Sequence, residues 1–347
     1  MQGSCAYNGT TAGVARMQYI PFVDPSQKVS RICLGTMTFG GPCDRAASIS
    51  IVDAAVEAGI NFFDTAPMYA DGVSEEYLGQ ALAGRREKAI IATKVHTGLD
   101  EAAILSSLDA SLRRLQTDYV DLLAIHWPAV GMNLSSMMGG LAKAVRSGKA
   151  RHVGCCNFPA WLLASSNSVA LQHGWPQLRG HQVAYNLIER GVEVEVLPQA
   201  AAEGIFLTAY RPMAVGLLTG GYRQGMALPA GRRGAVDSRV ITWLSQHGSS
   251  IERFLAFCER RRLAPAQAAL AWVAACPAVS CPIAGASSVQ QVRDAAASAD
   301  VLLDENSRGE LSALFDTEVK EEGLQRFPGM KYNYPRLRRT LFLARRE

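Results

Sequence analysis

The feature that most constrains the fold is a unit that recurs from about Arg31: a short apolar run, a turn, then a longer segment whose apolar residues step by three and four. Eight such runs read as strands, at residues 31–35, 61–65, 89–95, 120–127, 150–155, 181–185, 205–210 and 280–284. Between them, sets such as Ile49, Val52 and Val56, or Ile104, Leu108, Leu112 and Leu115, place their apolar groups on one helical face. Gly59, Gly84, Gly148 and Gly204 stand where those helices should stop. Eight strands alternating with helices fit an α/β fold, a closed (β/α)8 TIM barrel, whose usual span of about 250 residues matches the length available. A length of 347 residues also admits two ordinary domains. A doubly wound open sheet competes with the barrel, but no G-x-G-x-x-G follows the first strand.

The barrel is expected over residues 29–320. Residues 1–28 read as a polar leader, poorly ordered or peripheral, and residues 321–347 as a basic tail. A Gly- and Arg-rich stretch at 216–243 reads as a long loop after the seventh strand, and loops of that length are usually functional. Beyond Asp304 a C-terminal helical extension is expected, with its basic stretch at 335–346 packed on the barrel or edging its mouth. The chain is 48% hydrophobic and 19% charged, the balance of a folded globular protein. Its net charge of +4 is dispersed until the last dozen residues, so no nucleic-acid surface is indicated. No stretch nears the roughly 20 apolar residues of a membrane helix, and the start, Met1 to Gly13, has neither a basic n-region nor an apolar core. A cytoplasmic protein with no membrane partner is therefore expected. Eight scattered cysteines, without a C-x-x-C pair or zinc spacing, point to buried thiols and to no metal site.

In such a barrel, catalytic side chains come from the C-terminal ends of several strands. Four polar residues stand there: Asp64 at the end of NFFDTA, Tyr69 five residues on, Lys94 in IIATK and His126 in LLAIHWP. Taken singly, each has an ordinary role as a cap, a turn residue or a satisfied polar group. Together, at successive strand ends, they suit hydride reduction of a carbonyl. The alkoxide formed must be protonated, and a free tyrosine with a pKa near 10 releases its proton reluctantly at neutral pH. Lys94 would stabilise the phenolate, Asp64 would fix the lysine, and His126 would hold the substrate oxygen.

The chain resembles the aldo-keto reductases, and the resemblance runs from Arg31 to about Phe315. It is carried by LGTMTFGG, AGINFFDTAPMYADGVSEEYLGQAL, IIATKV, LDASLRRLQTDYVDLLAIHWP, VRSGKARHVGCCNF, HQVAYN, TAYRPMAVGLLTGGY and PIAGASSVQQV. The pattern is most similar to the branch holding potassium-channel β-subunits and bacterial sugar-carbonyl reductases. The resemblance implies a (β/α)8 barrel, NADPH (NADP+) as the usual cofactor with NADH also possible, and the tetrad Asp64, Tyr69, Lys94 and His126. It further implies that Asn157 and Gln182 hold the nicotinamide carboxamide and that Tyr210 stacks on its ring. Gly35, Thr36 and Met37 match the first-strand loop beneath the cofactor. Cys156, Arg211, Pro212, Met213, Gly216 and Leu217 match positions along it. Gly285, Ser287, Ser288, Gln291 and Asp294 match the segment that holds the adenosine phosphate and adenine, where donors near a helix start favour an anion.

Several family positions are altered. The usual Val-Ser-Asn reads Cys155-Cys156-Asn157, so a hydroxyl becomes a weaker thiol donor. Tyr-Ser-Pro-Leu reads Tyr210-Arg211-Pro212-Met213, and Arg211 is expected to contact the pyrophosphate or a charged substrate. Leu-Thr-Gly-Lys-Tyr ends in Gly221-Tyr222, losing a lysine, and the Glu-Asn that often grips adenine is Asp294-Ala295. Arg223, Arg232 and Arg233 either replace the lost charge or form a solvated basic loop. Glu-Val-Tyr-Gly reads Pro67-Met68-Tyr69-Ala70, which keeps the catalytic spacing and alters the pocket wall.

The reading is an enzyme that reduces an aldehyde or ketone to an alcohol, or the reverse, with Tyr69 as general acid or base and a small-molecule substrate. Two rivals stand beside it. One is a ketoreductase, dehydrogenase or enoyl reductase acting on a sugar or secondary-metabolite intermediate. The other is a slow cofactor-binding regulatory module resembling the channel β-subunits. No feature of the sequence sets an oligomeric state.

Overall fold

The computed structural model describes residues 17–228 and 237–315. A short antiparallel hairpin, β1 (Tyr19–Pro21) and β2 (Lys28–Ser30), comes first. Eight parallel strands follow: β3 (Cys33–Gly35), β4 (Phe62–Asp64), β5 (Ile90–Val95), β6 (Val120–Ile125), β7 (Ala150–Cys156), β8 (Leu178–Ala184), β9 (Phe206–Tyr210) and β10 (Cys281–Gly285). They close into a barrel, with β10 pairing both β9 and β3. The helices between and after them are α1 (Arg45–Glu57), α2 (Val73–Ala81), α3 (Glu101–Leu115), α4 (Leu134–Arg146), α5 (Ala160–His173), α6 (Val196–Glu203), α7 (Ser238–Arg261), α8 (Pro265–Ala274), α9 (Val289–Ala297) and α10 (Glu305–Ala313). The fold is the expected (β/α)8 barrel.

Alternation along each strand separates two apolar bodies. Outward residues such as Leu34, Phe63, Ile91, Leu123 and Leu207 pack against the helices. Inward residues Phe62, Ala92, Leu122, Phe206, Cys281 and Ile283 fill the lower barrel, joined by Phe22 and Val29 of the hairpin segment. Phe22 plugs this end: its ring meets Phe206 at 4.8 Å and Phe62 at 5.6 Å, both edge to face. Above this floor β7 and β8 approach closely, since a Cβ on Gly154 would stand 2.5 Å from the Gly180 carbonyl oxygen. Higher still the inward positions turn polar.

Removing the plug opens the floor without touching the mouth. Phe22→Ala is expected to cost about 3–5 kcal/mol, the range for a buried aromatic cut to alanine. Urea unfolding measures it, and the turnover number of the remaining folded protein should be unchanged.

Local chemistry sets the helix boundaries. Asp44, Asp100, Asn133 and Asp304 each accept a backbone N–H as N-caps of α1, α3, α4 and α10, contacts worth about 1 kcal/mol each. All four glycines expected at helix ends have positive φ, Gly204 serving as the C-cap of α6 itself.

Most strand ends differ from the sequence reading by one or two residues, and four differences have physical reasons. The hairpin straddles the end of the stretch read as leader, β1 within it and β2 across residue 28, its three-residue strands being too short to show a period. β8 begins at Leu178, three residues earlier than expected, since Arg179 and Gly180 break the apolar run. β6 ends at Ile125, so His126 opens the loop that follows. The stretch 216–243 is not all loop, because Asp237 caps α7 and residues from Ser238 are helical. Arg232, Arg233 and the basic tail lie outside the described residues.

Candidate active site

The strand register brings the expected residues to one rim. Gly35 pairs with Asp64, Asp64 with Ala92, Lys94 with Ala124, and Cys156 with Gln182. His126 is held in line by its own N–H, which donates to the Val95 carbonyl at 2.9 Å.

Lys94 is the centre of the group. Its ammonium donates to Asp64 Oδ1 at 2.7 Å, to the Thr65 carbonyl at 2.7 Å and to Tyr69 Oη at 3.4 Å. An ammonium has three N–H donors, and these contacts use all of them. Asp64 Oδ2 accepts from Gln182 Nε2 at 2.7 Å, so both carboxylate oxygens are engaged as well. Lys94 is 1% exposed and Asp64 2%, which keeps their attraction unscreened by salt. The His126 ring stands edge-on to Tyr69 at 6.0 Å and to His96 at 5.6 Å.

Burial sets the proton affinities. It raises the Tyr69 phenol to about 12, with Lys94 pulling the other way and Asp64 adding to the rise. Thus Lys94 acts on Tyr69 in the expected direction, but desolvation wins and the phenol holds its proton. For Lys94 itself, burial opposes the charge and is outweighed by its ion pair with Asp64, so the ammonium persists. Burial, then Lys94 and His96, push His126 down to about 2, leaving a neutral imidazole whose Nδ1 has no hydrogen-bond partner among the described residues. Cys156 is raised to about 12 by burial and remains a thiol.

A second buried histidine, His181, is lowered to about 4, again by burial first. Both imidazoles ionise below the ordinary value near 6.5 that they regain on unfolding. Their contribution to stability is therefore full above pH 6.5 and is lost as pH falls toward the folded values, because the unfolded chain takes up protons the native state refuses. The urea midpoint is expected to fall between pH 7 and pH 5. An unchanged midpoint over that interval would contradict the assignment of both as buried neutral groups.

The expected cofactor residues line one side of the same mouth. Asn157 has φ 61°, a conformation asparagine tolerates better than most. Its Oδ1 accepts from Tyr210 Oη at 2.8 Å and its Nδ2 donates to the His126 carbonyl at 3.1 Å. Thr36 is fully buried, bonded to the Asp64 carbonyl and to Ser74 Oγ, whereas Met37 is 47% exposed at the rim. Gly35 sits where a Cβ would be 2.8 Å from Ile283 Cγ2. Arg211, with φ 57°, donates to Glu189 Oε1 at 2.9 Å and lies 4.8 Å over the Tyr210 ring.

Past Arg211, Pro212 is buried and Met213 partly so, and then Ala214, Val215 and Gly216 all turn left-handed. Leu217 is fully buried, packed in the outer hydrophobic body. On the neighbouring strand, Gly285 ends β10 exposed, Ser288 caps α9, and the Ser287 N–H and hydroxyl both reach Gln291 Oε1. Asp294 accepts from Gln290 Nε2 at 2.9 Å on the exposed side of α9, and Ala295 beside it is buried. Arg223 pairs with Glu252 at 2.7 Å.

The aldo/keto reductase family model matches residues 31–315, the whole of the barrel. The chain belongs to this family. Its relatives include YrpG, an uncharacterized oxidoreductase of Bacillus subtilis (strain 168), 34% identical over 86% of this chain and 96% of YrpG. Norsolorinic acid reductase B of Aspergillus parasiticus is 32% identical over 77% of this chain and 76% of its own. A probable voltage-gated potassium channel subunit beta of Arabidopsis thaliana is 31% identical over 82% of this chain and 92% of its own. Membership makes this aldo/keto reductase an oxidoreductase of carbonyl type. Among the described residues no helix is long and apolar enough to cross a membrane.

Four contacts of the mouth escape a reading from sequence. The Thr65 carbonyl is a backbone ligand and leaves no sequence signal. Gln182 on Asp64 joins residues 118 positions apart. Glu189, partner of Arg211, and His96, neighbour of His126, stand in loops, although the odd spacing of His96 two residues after Lys94 was a usable sign.

Proposed function

We propose that this protein reduces an aldehyde or ketone to an alcohol with NADPH as preferred hydride donor, Tyr69 being the general acid. The observation that carries the reading is the buried ammonium of Lys94, shared between Asp64 and the Tyr69 hydroxyl in the barrel mouth.

The residues fit a nicotinamide dinucleotide. After β9 the left-handed run Ala214, Val215 and Gly216 turns the chain sharply where the pyrophosphate would lie, the Ala214 and Gly216 N–H groups being held by the Arg211 and Met213 carbonyls. The start of α9 offers Ser287 and Ser288 beside Gly285, where a phosphate meets the positive end of the helix. Asn157, Gln182 and the Tyr210 ring would hold the nicotinamide, and Gly35 to Met37 would lie beneath it. When bound, the dihydronicotinamide supplies a hydride to the carbonyl carbon.

The protein's own part is proton supply and positioning. Neutral His126 holds the carbonyl oxygen by a hydrogen bond, without adding a charge that would compete with Lys94. As negative charge grows on that oxygen, Tyr69 gives up the proton on Oη, and the phenolate left behind is stabilised by the Lys94 ammonium. Asp64 and the Thr65 carbonyl fix Lys94 so that no reorganisation is needed at that moment. The name of norsolorinic acid reductase B supports the reductive direction.

Fluorescence titration with NADPH and NADH, followed by a carbonyl panel read at the nicotinamide absorbance, tests the reading. NADPH is expected to bind more tightly and to be oxidised by at least one carbonyl. Equal affinity for the two would remove the stated preference.

A further inference from the structure

Tyr69 is followed by three residues in left-handed backbone: Ala70 at φ 48°, Asp71 at φ 53° and Gly72 at φ 94°. Glycine accepts this region freely, but alanine and aspartate carry a Cβ that crowds the following carbonyl. Strain of this kind persists only where the surroundings impose it. The turn is closed from two sides. On one, Gly40 lies so near that a Cβ there would be 2.8 Å from Ala70 Cβ and 2.7 Å from Val73 Cγ1. On the other, the Arg114 side chain of α3 covers Gly72, where a Cβ would be 2.6 Å from Arg114 Cδ and 2.7 Å from its Nε.

Arg114 is not free to move off. Its Nε donates to Glu75 Oε2 at 2.7 Å, and its Nη2 stands 2.6 Å from the same oxygen as an ion pair. Glu75 is completely buried, and its other oxygen accepts from Thr93 Oγ1 at 2.5 Å. Thr93 is the residue before Lys94 on β5. One chain of contacts thus runs from the strand that carries Lys94, through a carboxylate shut away from water, to a guanidinium lying on the turn that carries Tyr69. Removing either partner of a buried ion pair leaves the other without compensation, so the guanidinium is pinned in place.

We propose that Thr93, Glu75 and Arg114 form a positioning device for Tyr69, holding the strained turn so that the hydroxyl stays against Lys94. The proposal rests on the reading of Tyr69 as general acid. Loss of the guanidinium cover lets the turn relax toward ordinary backbone and carries the phenol away from the ammonium. A Cβ at Gly72 has the same effect by displacing the guanidinium.

The test compares Arg114→Gln, Arg114→Lys and Gly72→Ala, each alone and combined with Tyr69→Phe, using NADPH and 4-nitrobenzaldehyde. A second readout needs no substrate: ultraviolet titration of tyrosinate, taken as the difference from the matching Tyr69→Phe protein. Arg114→Gln and Gly72→Ala should lower kcat by about tenfold or more, as expected when a reacting group is misplaced by about an ångström. The NADPH dissociation constant should stay within about twofold, because no contact to the expected cofactor residues is touched. Arg114→Lys, which keeps a charge for Glu75, should recover part of the loss and guards against simple unfolding. In the Tyr69→Phe background the same changes should cost nothing further, since a device acting through Tyr69 has nothing left to position. Tyr69 should also ionise at lower pH in Arg114→Gln, as water reaches the phenol.

Losses that multiply in the Tyr69→Phe background would overturn the proposal, and so would an unchanged kcat together with an unchanged Tyr69 titration. If Tyr69→Phe alone retains full kcat, the reading of Tyr69 as acid falls and the device falls with it. If Tyr69→Phe is impaired and Arg114→Gln is not, only the device falls.

Discussion

Tyr69→Phe is expected to lower kcat for carbonyl reduction by about 10²–10⁴-fold, the usual contribution of a positioned general acid, with NADPH affinity unchanged. The substitution removes one oxygen from a ring that keeps its edge contact with His126 and the Lys94 ammonium 5.0 Å from its centroid. Its hydroxyl makes one polar contact among the described residues, the 3.4 Å bond from Lys94. That bond is long, and Lys94 keeps its two shorter bonds to Asp64 and Thr65 when it is lost. Little folding free energy therefore depends on the hydroxyl, and the loss should appear in turnover rather than in stability. Steady-state kinetics beside a thermal melt separates the two. Because burial holds the phenol near 12, the protonated acid is present throughout the neutral range, and the wild-type rate should not fall between pH 6 and pH 9 through loss of this proton.

Asp64→Ala is expected to have the largest effect on stability, a loss of about 3–5 kcal/mol, as when one partner of a buried ion pair is deleted. Lys94 is 1% exposed, so without Asp64 its ammonium has no compensating charge in a region that burial already makes hostile to it. The same change leaves Gln182 Nε2 without its acceptor. Activity should vanish along with stability. Asp64→Asn keeps the shape and one acceptor, so it should fold better while still losing most of the rate. Urea unfolding and initial rates on both variants check this; equal stability of Asp64→Ala and wild type would contradict a buried, unscreened pair.

The barrel was legible because its strands are apolar on both faces and its helices keep a three-and-four spacing, as at Ile104, Leu108 and Leu112, all buried in α3. Asp64, Lys94 and His126 were legible because a polar residue closing an apolar strand has few structural roles to fill there. The hairpin was not, since three residues on each side give no period to read. Nor was the embrace of Lys94 by a backbone carbonyl, which any residue at position 65 would supply. Glu75 followed by Glu76 in a helix looks like a solvated pair, yet Glu75 is buried and Glu76 exposed. Only the fold, which brings Arg114 from 39 positions away, distinguishes them. Arg211 was expected to meet a phosphate or a charged substrate, and its Glu189 partner lies on a loop whose approach no local pattern announces.

Hydride transfer and the role of Tyr69 are tested together by supplying NADPH deuterated at the transferring position with 4-nitrobenzaldehyde and analysing the alcohol by mass spectrometry. One deuterium is expected on the carbinol carbon for each NADPH oxidised, at a rate lowered about 10²–10⁴-fold in Tyr69→Phe. An alcohol carrying only solvent hydrogen at that carbon, or a Tyr69→Phe protein as fast as wild type, would contradict the proposed chemistry.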